Sequence, residues 1–357
     1  MPSLFDPISY GAIDAPNRLV MAPLTRGRAT DDHVPTPIMA EYYRQRATAG
    51  LIISEGTGIS FEGLGWPNAP GIWSDEQVEA WKPITDAVHD AGGRIVTQLW
   101  HLGRLARQDV TGQAPFSSSA TQAPARPGAT ENPNVAARAM TGDDIARTLD
   151  DFARAARNAI RAGFDGVELH AANGYLIDQF MRDGTNHRDD DYGGPVENRL
   201  RLLREVVGRL LDEAGAQRTG VRFSPNGEVQ GCDDSNPEAV FVPAAAFLDS
   251  VGAAFLELRE SGPDDSFLQS QVAKLSPKIR EVFSGPLILN QDFDLAKAQT
   301  ALDGVADAIS FGRPFLANPD LVERLRTGAP LNEPDKRTFY TRGTEGYTDY
   351  PALELAS

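Results

Sequence analysis

Ten consecutive residues, 166–175, read GVELHAANGY and hold a dense group of reactive side chains. Val167 and Leu169 alternate with Glu168 and His170, the period-two pattern of a buried strand. There the alternation stops, and His170, Asn173 and Tyr175 follow one another around Gly174, which supplies a turn. An imidazole, an amide and a phenol at the carboxyl end of a strand are costly to leave unpaired, so the trio suggests a site that grips a polar ligand. The competing reading makes His170 a satisfied core histidine and Tyr175 the first residue of the next helix.

Positioning these groups requires a scaffold, and the rest of the chain supplies a repeating one. Short apolar runs occur at residues 19–24, 51–54, 94–99, 166–170, 219–223, 254–258, 286–289 and 307–311. Helical patterns lie between most of them, at 38–49, 75–91, 143–162, 196–213, 237–251, 276–282 and 295–302, with a last one at 319–326. Eight strands each followed by a helix predict an α/β fold, a (β/α)8 TIM barrel forming a single domain over residues 1–357. A short N-terminal cap or hairpin, punctuated by Pro7, Gly11 and Pro16, precedes it. A doubly wound dinucleotide fold would want Gly-x-Gly-x-x-Gly at the first strand-to-helix turn, where this chain has APLTRGRAT. Two strand-to-helix loops, 103–141 and 181–195, are long, which is where barrel enzymes carry lids and specificity elements. The tail from 330 to 357 holds Tyr340, Tyr347 and Tyr350 and is expected to pack back on the barrel.

Composition narrows the partners. A net charge of -16 over 357 residues argues against nucleic acid and against an anionic membrane surface. The lone Cys232 excludes an internal disulfide and an iron-sulfur cluster held by this chain's cysteines. The N-terminus carries no apolar run of signal-peptide length and no segment reaches about 18 apolar residues, so a soluble cytoplasmic protein is expected. Whether it is a monomer or a homodimer is left open.

At the strand ends the chain offers Pro23, Leu24 and Thr25; Glu55 and Gly56; Gln98, Trp100 and His101; His170, Asn173 and Tyr175; Arg222; Arg259; Asn290 and Gln291; and Gly312 and Arg313. Most are hydrogen-bond donors and several are fixed cations, a set suited to a polar anionic ligand. The five histidines, His33, His89, His101, His170 and His187, show no metal-binding spacing, so no metal is expected. Lys82, Lys274, Lys278, Lys297 and Lys336 lie outside the strands, which disfavours Schiff-base chemistry, and no Gly-x-Ser-x-Gly elbow occurs. A bound cofactor remains as the reactive agent. Ser310-Phe-Gly-Arg-Pro314 at the eighth strand stands where such barrels bind phosphate.

With these residues in view the chain resembles the old yellow enzyme family, the FMN-dependent ene-reductases, over nearly its whole length. The motifs are APLTRGRA, QLWHLGR, HAANGYLIDQF, NHRDDDYGG followed by ENR, FGRPFLANPDL and GYTDYP. The resemblance implies tightly bound, non-covalent FMN, with NADPH or NADH as reductant. Pro23, Leu24, Thr25 and Gly56 would lie against the flavin, Thr25 bonding its O4. Gln98 would meet the pyrimidine edge and Arg222 the N1 and O2 region, unless Arg222 is a structural ion-pair residue. Gly312 and Arg313 would hold the phosphate with help from Asn290 or Gln291, in a loop where relatives carry smaller residues. His170 and Asn173 would clamp the oxygen of an activated alkene, an α,β-unsaturated carbonyl, a maleimide or a nitroalkene, and Tyr175 would protonate its α-carbon. Trp100 and Tyr347 would shape and cover the substrate pocket, each with an ordinary packing role as the alternative. NHRDDDYGG reads as a brace for the fourth loop and Cys232 as incidental. The rival readings are a two-domain relative carrying an iron-sulfur cluster and a flavin-independent, phosphate-binding aldolase or isomerase barrel.

Overall fold

The structure, a computed structural model, describes residues 2–125, 132–227, 229–266 and 268–353. Parts of the long third loop (126–131) and of the tail (354–357) lie outside the described residues. The barrel strands are Leu19–Met21 (β1), Leu51–Gly58 (β2), Ile95–Trp100 (β3), Gly166–His170 (β4), Thr219–Phe223 (β5), Phe255–Arg259 (β6), Leu287–Asn290 (β7) and Ala308–Phe311 (β8). All pair in parallel, neighbour to neighbour in chain order, and β8 returns to β1 to close the barrel. Strands covered on both faces carry no alternation of exposure, and every residue of β2 to β6 is buried.

Around this barrel pack Pro37–Arg44 (α1), Asp75–Asp90 (α2), Gly142–Arg161 (α3), Arg201–Ala214 (α4), Pro237–Ser250 (α5), Ser276–Val282 (α6), Leu295–Leu302 (α7) and Leu321–Thr327 (α8). Their starts follow from local chemistry. Ser74 and Thr141 accept hydrogen bonds from the backbone N–H three residues on, and Asn236 and Asp294 do the same for α5 and α7. Helix α3 buries Ile145, Leu149, Phe152, Ala156 and Ala159, one stripe at helical spacing.

The expected N-terminal hairpin forms from Ile8–Tyr10 and Ile13–Ala15. Its Tyr10, Ile13 and Ala15 pack with Val20, Leu51, Ile53, Val96, Phe255 and Ile288 at the strand beginnings, so the hairpin seals the amino end of the barrel with apolar side chains. Four elements differ from expectation by more than two residues, and the helix expected over 38–49 ends at Arg44. Strand β1 stops at Met21, because Pro23 has no N–H for the ladder. Strand β2 runs on to Gly58 through Glu55, its register shifting between Ile53 and Gly56. The pattern expected as one helix over 196–213 divides into Val196–Arg199 and α4 on either side of Leu200.

Candidate active site

His170 ends β4, and its environment fixes both its charge and its tautomer. Burial, with Arg222 and Arg259 nearby, holds the imidazole well below the usual histidine range, so the ring is neutral. Its Nδ1 stands 3.3 Å from the backbone N–H of Ala172 and accepts from it. The ring proton then sits on Nε2, which makes Nε2–H a donor.

Asn173 follows in a left-handed conformation (φ 58°), a region asparagine tolerates, and Gly174 continues it at φ 76°. A side chain at Gly174 would meet the carbonyl oxygen of Val229 at 2.5 Å, so only glycine fits the turn. The Asn173 backbone N–H donates to Ser224 Oγ at 2.7 Å, and its Oδ1 accepts from Arg259 Nη1 at 2.8 Å. With the amide oxygen engaged, the Nδ2 donor is the free end. Tyr175 caps the short helix Leu176–Met181, its ring edge-on to His170 (4.8 Å, 87°) and to Trp100 (5.1 Å, 82°). Trp100 and His170 lie nearly parallel with centroids 6.4 Å apart. The three residues singled out on β4 and the tryptophan ending β3 thus form one wall, with Asn173 and Tyr175 half-buried at its rim.

Behind the wall sits a polar framework. Gln179 Nε2 donates to Gly174 O at 2.7 Å and to Leu102 O at 3.0 Å, while its Oε1 accepts from Arg104 N and Ser117 Oγ. Asp178 accepts from Gly174 N and pairs with the fully buried Arg182 at 2.7 Å. His101 lies behind this framework, packed on Phe116 and accepting from Gly103 N; burial keeps it neutral, its pKa lowered to about 3. The NHRDDDYGG segment braces the loop: Asn186 Nδ2 bonds Phe180 O and Tyr192 O, and Arg188 reaches Ser118 O and Met140 O. Cys232 is buried beside Thr185, its thiol pushed up to about 12 by burial.

The residues expected to touch a cofactor lie around the same mouth, Arg222 beside His170 and Gly56 beside Trp100. Pro23, Leu24 and Thr25 are half-buried on the loop after β1, held by Glu55, whose carboxylate accepts from Arg26 N at 3.0 Å and Gly27 N at 3.2 Å. Gly56 lies under Trp100: a Cβ there would fall 2.6 Å from the indole ring. Gln98 donates to Glu168 at 2.7 Å. Arg222 contacts Glu257 at 3.2 Å and donates to Asn290 Oδ1 at 2.7 Å, so it is an ion-pair residue as well as a strand-end cation. Asn290 is thereby turned toward Arg222, its Nδ2 bonding Ser310 O, whereas Gln291 and Asp292 take positive φ values (120° and 46°) beside Gly312 and Arg313. Arg313 bonds Asp292 Oδ1 at 2.6 Å and Ser266 Oγ at 2.7 Å.

One expectation is corrected. Tyr347 does not cover the mouth: its ring stacks on Tyr42 at 4.1 Å, Arg28 lies over it, and the residue is fully buried. The Arg26 and Arg28 guanidiniums lie over its ring at 5.1 and 4.5 Å. Tyr340 of the same tail instead stays exposed against Trp66, which belongs to the cluster of Trp100 and Tyr175. Also missed were Arg26 and Arg28. Arg26 donates to Phe339 O and Gly346 O, and Arg28 to Phe339 O and Thr338 O, tying the tail to the β1 loop. Two arginines in APLTRGRA were the available signal.

The donor set fits a flavin nucleotide. Gln98 and Arg222 suit an acceptor-rich ring edge, and Arg313 with the turn at Gly312 suits a phosphate. The buried Trp100 Nε1–H has no hydrogen-bond partner among the described residues. No group of acidic, histidine or cysteine side chains fit to hold a metal occurs among them either.

Comparison with known proteins agrees. The NADH:flavin oxidoreductase / NADH oxidase family matches residues 3–332. The structure superposes on the old yellow enzyme homologue of Zymomonas mobilis with TM-score 0.96 at 61% identity, covering 99% of this chain and 100% of that one. The chain belongs to the old yellow enzyme family. Morphinone reductase is also similar, 44% identical with TM-score 0.94 over 99% of this chain and 97% of the other, and has been solved in complex with tetrahydroNAD. Among curated relatives, 12-oxophytodienoate reductase 1 of Oryza sativa subsp. japonica is 43% identical over 358 residues, 98% of this chain and 93% of its own length. As a member of this family the chain is an FMN-dependent ene-reductase driven by NAD(P)H. The flavin-independent aldolase or isomerase reading is not supported. Among the described residues no helix is long and apolar enough to cross a membrane.

Proposed function

We propose that the mouth of this barrel reduces alkenes conjugated to a carbonyl or nitro group, with His170 and Asn173 binding the conjugated oxygen and Tyr175 supplying the proton. One observation carries the reading: a neutral histidine whose Nδ1 is occupied, an asparagine whose Oδ1 is occupied, and a phenol share one wall, which sets an imidazole N–H and an amide NH2 beside the Tyr175 ring. FMN held there would supply the hydride chemistry that links NADPH or NADH to the β-carbon of the alkene.

The side chains do the rest. His170 and Asn173 donate to the conjugated oxygen and stabilise the negative charge that gathers there as the β-carbon is reduced, a gain realised in the transition state. A neutral imidazole serves well, since a cation would require solvating where water is excluded. Tyr175 gives its proton to the α-carbon; a phenol of ordinary pKa about 10 suffices for so basic a carbon. The Arg259 guanidinium, bonded to Asn173, keeps the amide oxygen turned away from the substrate and its nitrogen toward it. Trp100 bounds the pocket, and Tyr340 is the tail residue that closes its edge. Pro23, Leu24, Thr25, Gly56, Gln98 and Arg222 would hold the ring system, and Gly312, Arg313 and the backbone at Gln291 the phosphate.

The test separates the half-reactions. In Tyr175→Phe, flavin reduction by NADPH stays within about twofold of wild type, while reoxidation by an enone slows by the 10²-fold or more typical of a lost general acid. Equal loss in both half-reactions, followed by stopped-flow absorbance, refutes the proton-donor role.

A further inference from the structure

Inside the barrel, below the mouth, two carboxylic acids face each other with one cation. Glu168 on β4 and Glu257 on β6 are both fully buried. Glu257 receives Arg222 at 3.2 Å and the hydroxyl of Ser310, whereas Glu168 receives a single neutral amide, from Gln98. Glu168 Oε1 has no hydrogen-bond donor among the described residues, Glu257 Oε2 has the Arg222 Nε ion-pair contact alone, and the two carboxyls stand against each other.

Two carboxylates in contact in a dry interior cannot both be ionised. The stronger donors sit on Glu257, which marks it as the ionised member and leaves the proton on Glu168. Burial and the neighbouring Glu257 both push the Glu168 carboxyl well above the usual range, in the same direction.

We propose that Glu168 and Glu257 share one proton and, through the single negative charge left on Glu257, set the charge that Arg222 presents to the cofactor. These are positioning residues: Glu257 acts through Arg222, and Glu168 through Glu257 and its bond from Gln98. The inference rests on the reading that Arg222 faces the flavin ring. An uncompensated guanidinium there would favour the electron-rich reduced cofactor; the Glu257 anion offsets part of that effect and keeps the bound flavin a better reductant.

Holoprotein variants test it by spectroelectrochemistry of bound FMN. E168Q replaces a neutral acid with a neutral amide and leaves the midpoint potential near the wild-type value. Adding E257Q in that background, where no second carboxyl can take up the charge, shifts the reduction equilibrium at least tenfold toward the reduced form, about 30 mV upward for a two-electron couple. A potential that moves as much in E168Q alone, or that stays put in the double variant, overturns the inference. Arg222→Gln separates the layers: if it moves the potential and the double variant does not, the inference alone fails, and if it leaves the potential untouched, the placement of Arg222 fails with it. Infrared difference spectroscopy of wild type against E168Q reads the proton directly and does not depend on the double variant folding. The wild type contributes the carbonyl stretch of a protonated carboxyl at neutral pH, and its absence sinks the shared proton.

Discussion

The two ends of this barrel are made from the same strands and obey opposite rules. At the amino end the strand beginnings Val20, Leu51, Val96, Phe255 and Ile288 meet the hairpin's Tyr10 and Ile13, and contact is apolar and closed. Toward the carboxyl end, β3 to β7 carry Gln98, His170, Arg222, Arg259 and Asn290, each bonded to another polar group. A few residues of rise separate a region that stabilises by excluding water from one that is expensive to bury and pre-set for a ligand. Stability and chemistry are therefore divided along the strand axis, and substitutions at the two ends should fail in different ways.

The largest effect is expected at the closed end. Phe255, fully buried edge-on to Tyr10 with centroids 5.8 Å apart, leaves a cavity when cut to alanine. Phe255→Ala costs about 3–5 kcal/mol in urea unfolding while FMN affinity of the folded fraction is retained. Selective loss of FMN at unchanged stability would erase the division. His170→Ala, at the open end, behaves in the reverse sense: binding of a phenolate that mimics the reaction's oxygen weakens about 10–100-fold, the worth of a hydrogen bond to a charged group, and the unfolding midpoint barely moves. Unchanged affinity in a spectral titration removes His170 from the clamp.

A third prediction concerns acid. His101 is buried and neutral with its pKa lowered to about 3, against about 6.5 in the unfolded chain. Below pH 6.5 the unfolded state binds the extra proton, so this contribution is fully present at higher pH and is lost progressively as pH falls toward 3. At pH 5 it amounts to about 2 kcal/mol, and His101→Asn should flatten that part of the stability profile; an equally steep profile in the variant excludes His101 as its source. The smallest effect separates two tail tyrosines. Tyr347→Phe removes a buried hydroxyl that has no hydrogen-bond partner among the described residues and changes stability by less than about 1 kcal/mol, with KM for the alkene unchanged. Tyr340→Ala alters KM. The opposite assignment would restore Tyr347 to the mouth.

How much of this was legible depended on whether the signal was local. Barrel, hairpin and the His170–Tyr175 wall all follow from periodicity, turn residues and motif spacing, which neighbouring residues declare. The carboxyl half of β2 was hidden because Glu55, Gly56 and Thr57 look like a loop until the N–H groups of Arg26 and Gly27 are brought to the carboxylate. Glu168 and Glu257 were invisible for a different reason: in GVELH and FLELR each glutamate passes for the polar partner of an alternating strand. Only barrel closure turns both inward. Tyr347 was misjudged because the tail offers several tyrosines, and which one goes inside is decided by Tyr42 and Arg28, distant in sequence.

The link between Arg26 and the tail also bears on how the enzyme is made. Its carbonyl partners on Phe339 and Gly346 lie 313 and 320 residues downstream. On a ribosome the β1 loop would emerge early, with Tyr42 soon at hand for the Arg26 guanidinium, and wait for its tail partners until those residues had been synthesised. The β1 loop is consequently among the first parts translated and among the last to make all its contacts.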